Sequence, residues 1–200
     1  MPETAPPILS IIAGPNGSGK STFFDRYLRQ QVPVFVNADE IARSLGHLPE
    51  DIRQLAAAEQ ATDERLRLLR QGHSFAFETV FSRPDYWLEF IRSGKNRGYY
   101  VRLHFLCTEA PALNVARVAE RVDAGGHAVP TAKIASRYPG SIRTAVLART
   151  LVDEMWLYDN SRLDESPLLV ARFIRGKADY LSPTLPRWAQ VFFRDEVNPV

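Results

Sequence analysis

Apolar and polar positions fall into blocks along the chain that predict strands alternating with helices. Residues 8–13 form a short apolar run rich in isoleucine that ends at Gly14, the signature of a buried strand feeding a loop. Residues 21–31 follow as a helix with Phe24, Tyr27 and Leu28 as its apolar stripe, and 34–36 as a second short strand. Between 51 and 71, Ile52, Leu55, Leu66 and Leu69 recur at helical spacing, with Ala56 and Ala58 between them, and Gly72 supplies the stop. A third strand is predicted over 74–77, and a helix over 85–93 with Trp87, Leu88 and Ile91 on or near one face. Residues 99–106 are the strongest strand, and 110–124 a helix broken by Gly125-Gly126. After a loop to Pro139, the pattern predicts a helix over 141–158, a fifth strand over 168–173 and a short terminal strand over 191–193.

This alternation predicts an α/β three-layer sandwich, a P-loop NTPase fold of nucleotide-kinase type with a mostly parallel five-stranded sheet and right-handed crossovers. No repeat or linker divides the 200 residues, so one domain spanning 1–200 is expected, with residues 125–139 as its lid.

Composition changes this picture little. A net charge of +2 provides no field that argues for nucleic-acid or membrane partners. Cys107 is the one cysteine, which excludes an intrachain disulfide, and its place at a strand end predicts a small buried apolar role. There is no basic leader, and no apolar run approaches the ~20 residues of a membrane span, so a cytoplasmic protein is expected. Lysine occurs only at Lys20, Lys95, Lys133 and Lys177, and every other basic residue is arginine. Base composition explains that bias most simply; the alternative is a set of planar forks for phosphates.

The segment Gly14-Pro15-Asn16-Gly17-Ser18-Gly19-Lys20-Ser21-Thr22 fits G-x-x-x-x-G-K-[ST] in full, between a predicted strand and a predicted helix. Its glycines let successive N–H groups turn toward a phosphate, and the helix that follows adds its positive end. Lys20 would reach the β- and γ-phosphates of ATP, and Ser21 would ligate Mg²⁺. The loop serves kinases, ATPases and switches alike.

In such sheets ligands sit beyond the carboxyl ends of the strands. Asn37-Ala38-Asp39 follows the second strand, and Asp39 could take the proton of an acceptor hydroxyl or cap the helix behind it. Glu78-Thr79 follows the third strand, where Glu78 could orient Mg²⁺, hold substrate, or be only a solvated strand end. Glu109 is a weaker candidate, since Pro111 marks it as the start of a helix. Arg117 and Arg121 share a helix face beside the Gly125-Gly126 hinge, with Val115, Val118, Ala119 and Val122 turned toward the sheet, and Arg137 lies beyond. These arginines could close on a triphosphate or pair on the surface with Glu120 or Asp123. His127 reads as a loop residue rather than a base.

With these pieces in order, the sequence resembles the zeta-toxin family of P-loop kinases, chromosomal bacterial type. The resemblance is carried by residues 14–22, 36–42, 77–79, 118–122, 125–127, 134–138 and 157–161, in the family's order. It implies transfer of a phosphoryl group from ATP to a sugar hydroxyl of UDP-N-acetylglucosamine. Asp39 would be the base, Lys20 would contact the ATP phosphates, and Arg121 and Arg137 the transferring group. Glu78 would contact the substrate, joined by Asn37, Thr79 and Arg117. The resemblance also leaves room for a separate antitoxin protein as partner. The Glu-Thr acid segment and the Gly-Gly-His lid sequence depart from the plasmid-type toxins, and both lie on the acceptor side. A kinase of another hydroxyl acceptor, such as a nucleoside or antibiotic, and a non-catalytic nucleotide-dependent switch are the competing readings.

Overall fold

The computed structural model describes residues 5–126, 128–162 and 165–194. Its strands are β1 (Ile8–Ala13), β2 (Phe35–Val36), β3 (Phe75–Thr79), β4 (Tyr100–Cys107), β5 (Glu154–Asp159), β6 (Leu168–Ile174) and β7 (Lys177–Leu181). Its helices are α1 (Lys20–Phe23), α2 (Ala38–Ser44), α3 (Glu50–Gln71), α4 (Pro84–Asn96), α5 (Pro111–Asp123), α6 (Thr131–Ala148) and α7 (Arg187–Gln190). The strands make one sheet in the order β2-β3-β1-β4-β5-β6-β7. β2, β3, β1, β4 and β5 run parallel, while β6 and β7 are added antiparallel. The α/β class is as expected, but the sheet is seven-stranded and mixed rather than five-stranded and mostly parallel.

Alternation across the pleat divides the core. Leu9, Ile11, Leu103, Phe105, Met155 and Leu157 join one large cluster with Phe90 and Ile91 of α4, Ala145 of α6, and Trp188 and Phe192 near the C-terminus. Ile12, Ala76 and Leu106 join a smaller one under Phe23 and Phe24. Each fully buried large side chain contributes about 1.5–3 kcal/mol. Cys107 ends β4 fully buried, and burial pushes its thiol pKa up to about 12, so it packs as a small apolar group.

Several boundaries differ from the sequence pattern for identifiable reasons. The helix after the phosphate loop is only one turn of α-helix, continued by a π-helical turn (Phe24–Leu28) and a 3₁₀ turn (Arg29–Gln31). α6 begins at Thr131 and carries Pro139 inside it, so most of the expected lid 125–139 is helix. His127 lies outside the described residues. The expected helix 141–158 ends at Ala148, and after a turn its last five residues belong to β5. Val191–Phe193 is a 3₁₀ turn, not a strand. α5 buries Asn114 and Val118, whereas Val122 is exposed, because the helix packs beside α6 and the phosphate loop rather than flat on the sheet. On α3, Ile52 and Leu55 face solvent, and the buried stripe is Ala57, Ala61, Arg65, Leu68 and Leu69.

Candidate active site

The loop leaving β1 turns where its glycines require it. Gly17 and Gly19 have φ of +77° and +90°, where any other residue is strained. Space is short as well. A Cβ on Gly17 would lie 2.5 Å from the Asn114 carbonyl oxygen, and one on Gly19 2.3 Å from Asn160 Nδ2. Both asparagines brace the loop: Asn114 Nδ2 donates to Asn16 O at 2.7 Å, and Asn160 Nδ2 to Ser18 O at 2.9 Å. Neither was among the candidates drawn from the sequence. The signal for Asn114 was a polar residue four positions before Val118 on the buried face of α5. Ser18 Oγ and Asn16 Oδ1 are buried without partners, as befits a cradle shaped for a polar ligand.

Lys20 is buried at the start of α1, where its ammonium donates to Pro15 O at 2.9 Å and stands 3.7 Å from Glu78 Oε1. Burial lowers its pKa; Glu78 and then Asp39 oppose that shift, and Arg121 adds to it. The four side chains therefore share one electrostatic neighbourhood. Glu78 is inside the end of β3, opposite Ile12 in the register, and not beyond the strand. Ser21 Oγ donates to Glu78 Oε2 at 2.8 Å, and Asn37 Nδ2 approaches the same oxygen at 3.4 Å. Asn37, not Asp39, caps α2: its side chain accepts from Asp39 N at 2.8 Å. That leaves the Asp39 carboxylate exposed, with no capping duty.

Two cavities meet at this cluster. One, about 430 Å³, is lined by Gly17, Gly19, Lys20, Thr22, Glu78, Arg117 and Asn160. The other, about 670 Å³, opens between α2, the start of α3 and the end of α5, and is lined by Asn37, Asp39, Arg43, Arg53 and Gly125-Gly126. Ser21 and Arg121 line both. Gly126 N donates to Arg121 O at 2.8 Å, and a Cβ on Gly126 would sit 2.7 Å from Arg121 Cγ, so the lack of a side chain at Gly126 lets the chain pass over this arginine. Arg117 Nη1 donates to Asn160 O at 2.7 Å, which ties α5 to the exit of β5 in place of the surface pairing considered for it. Thr79 Oγ1 accepts from Phe81 N at 3.0 Å and faces a separate pocket. Arg137 is an exposed residue of α6 and lines neither cavity. Glu109 is turned away, its carboxylate accepting from Arg187 N at 3.3 Å.

The AAA-domain profile AAA_33 matches residues 9–137. The chain belongs to this family. The AAA_33 domain here has a P-loop kinase-like fold, and its match runs from β1 into α6. An uncharacterised protein of Haemophilus influenzae is 26% identical over 125 residues, 62% of this chain and 88% of its own length. The fold is similar to a chain of the AvrRxo1-ORF1:AvrRxo1-ORF2 complex crystallised with sulphate ions, with a TM-score of 0.69 at 15% identity. That match covers 94% of this chain but only 63% of the AvrRxo1 chain. The same pair crystallised with ATP gives a TM-score of 0.63 at 16% identity, over 94% of this chain and 63% of that one. A chain of the PezAT chromosomal toxin–antitoxin system of Streptococcus pneumoniae gives 0.57 at 16% identity, over 83% of this chain and 72% of its own. At such identities the likeness shows the fold. Among the described residues, no helix of this AAA_33 domain is long and apolar enough to cross a membrane.

Mg²⁺ is the cation this loop type implies, and the donors fit it: the Ser21 hydroxyl and the Glu78 carboxylate are hard oxygens 2.8 Å apart. Among the described residues, no group of three or more His, Cys, Asp or Glu is arranged to hold a metal.

Proposed function

We propose that the protein is an ATP-dependent small-molecule kinase of zeta-toxin type. One observation carries this reading: Ser21 and Arg121 line both cavities, so a donor at Lys20 and an acceptor at Asp39 would meet across them. The 14–21 backbone cradles the ATP phosphates, Lys20 pairs with the β- and γ-oxygens, and Ser21 and Glu78 hold Mg²⁺. When bound, Mg²⁺ neutralises charge on those oxygens. Asp39 accepts the proton of the acceptor hydroxyl as its oxygen bonds to the γ-phosphorus and the bond to the β-phosphate oxygen breaks, releasing ADP. Arg121, at the shared rim, neutralises charge on the transferring group, and Arg117 and Asn160 shape the donor side. Asn37, Glu78 and Thr79 border the acceptor side. Arg137 keeps the role its place in the family pattern implies only if α6 swings toward the loop when nucleotide binds.

UDP-N-acetylglucosamine is the first acceptor to test, by incubation with ATP and Mg²⁺ and mass analysis of the sugar nucleotide. No added phosphoryl group would discard that acceptor, and a metabolite-extract screen for any species gaining phosphoryl mass then tests the other hydroxyl acceptors. Asp39→Asn should lower transfer by about 10²–10⁴-fold and leave nucleotide affinity within about twofold. Unchanged turnover in that variant would remove Asp39 as the base, and ATP binding without transfer to any acceptor would favour the switch. The two-component AvrRxo1 and PezAT structures support a search for a separate inhibitory protein, by testing whether a co-expressed neighbour blocks transfer.

A further inference from the structure

A third pocket, about 340 Å³, opens beside Glu78, walled by Ala38, by Ala58 and Ala61 of α3, and by the start of α4. Arg65 lines it. The residue is 8% exposed, and its guanidinium lies 5.4 Å from the Phe77 ring centroid and 5.6 Å from that of Trp87. Its Nη2 donates to Thr62 Oγ1 at 2.9 Å, but its buried Nε has no hydrogen-bond partner. Among the described residues no carboxylate forms an ion pair with it. Glu78, the one acid lining the pocket among the described residues, is committed to Ser21 and Lys20. The Tyr86 hydroxyl lines the same space and interacts with the Arg65 guanidinium, but it is a neutral phenol and supplies no counter-ion.

A buried guanidinium keeps its charge, and a buried charge without a counter-ion is costly unless something supplies one. The surroundings are built to hold it ready. Flat aromatic faces support the cation, and alanines on α3 leave room where larger side chains would close the pocket. At the rim, Arg83 lies over the Tyr86 ring at 5.1 Å and brings a second cation to the opening. The loop that carries it there turns at Phe81, a buried aromatic at φ +61°, a conformation uncommon for any residue but glycine and concentrated at ligand clamps.

We propose that this pocket binds an oxyanion, a phosphate or a carboxylate, carried by the acceptor, with Arg65 as its buried anchor and Arg83 as its gate. The inference rests on the kinase reading and narrows it: neutral acceptors leave Arg65 without a counter-ion, whereas an acidic or phosphorylated one satisfies it. Glu78 lines both this pocket and the Lys20 cavity, and Ala38 directly precedes Asp39 in the chain, so an anionic group here would hold the hydroxyl-bearing part of the same molecule near Asp39.

The test follows the Nε–H signals of ¹⁵N-arginine-labelled protein during separate titrations with inorganic phosphate and with acetate. An Arg65→Lys spectrum assigns the signal. If that variant does not fold, a paramagnetic label near Trp87 assigns it instead. The Arg65 signal should shift saturably with the anion class that the pocket accepts, and the two titrations decide between phosphate and carboxylate. The shift should persist in Lys20→Ala, whose phosphate loop is impaired, and need roughly tenfold more anion in the exposed Arg83→Gln. No shift at concentrations that saturate the phosphate loop, or a shift lost in Lys20→Ala, overturns the proposal. A silent Arg65 in an enzyme that still transfers phosphate removes the subsite and leaves the kinase. A shifted Arg65 in a protein with no transfer supports the anion site and removes the kinase.

Discussion

Glu78 holds the place that a triphosphate and its cation would take, and replacing it with glutamine exposes that substitution of roles. Glu78→Gln keeps the shape of the side chain and an oxygen to accept from Ser21 but removes the charge 3.7 Å from Lys20 Nζ. At an effective dielectric of about 20, opposite unit charges at that separation attract by about 4–5 kcal/mol. Glu78 is 15% exposed, so the desolvation that a neutral glutamine escapes offsets part of this, and Lys20 keeps its bond to Pro15 O. The net loss for the nucleotide-free protein is about 2 kcal/mol, or about 4–8 °C in Tm for a domain of this size. ATP without Mg²⁺ reverses the comparison, because its phosphates give Lys20 a new counter-ion and no longer compete with Glu78. Linkage then requires the variant to bind Mg²⁺-free ATP about 30-fold more tightly than the wild type. Denaturant unfolding with and without nucleotide, joined to calorimetric titration, closes the cycle. A nucleotide-free variant as stable as the wild type, or one that binds Mg²⁺-free ATP more weakly, would refute the reasoning.

Two further perturbations probe the frame of the site. Gly19→Ala forces a side chain at φ +90° into the Asn160 amide, and left-handed strain plus the lost bond to Ser18 O should cost about 2–3 kcal/mol. Thermal unfolding reads that loss, and adding Asn160→Ala should return only the clash. His104, buried and stacked on Trp156 with ring centroids 4.5 Å apart, has its pKa lowered by burial from 6.5 to about 3. The folded state thus refuses a proton that the unfolded chain accepts, so stability present above pH 6.5 is lost as pH falls toward 3. From pH 7 to pH 5 this amounts to about 2 kcal/mol, and His104→Phe should abolish that share of the decline in urea unfolding; parallel curves would contradict it.

The parts of the molecule visible in the sequence are those whose cause is local. Residues 14–21 declare themselves because the glycines, lysine and serine act within one turn of chain. Asp39 and Glu78 stand out because each ends a short apolar run. β5 is hidden because no glycine or proline separates it from α6, and residues 149–153 carry the helical periodicity across the junction. Pro139 misleads in the opposite sense. Proline usually ends a helix, yet here only the Ala135 carbonyl loses its donor, while Tyr138 and Ser141 remain buried on either side. β7 is exposed along its whole length, so it shows no alternation to read. Arg65 is concealed differently: an arginine among alanines looks like a solvated face, and only the packing of Phe77 and Trp87 turns it inward.

Asn160 gives β5 a significance beyond its packing. The matched family segment ends at residue 137, yet the amide that fills the room above Gly19 arrives from the far end of β5, more than twenty residues later. Arg117 takes its carbonyl partner from the same residue. The phosphate loop is therefore not autonomous: a fragment holding only the shared segment would keep the glycines and the lysine but lose the clasp that fixes their shape. Replacing Asn160 would therefore loosen the loop without altering one residue of the signature sequence.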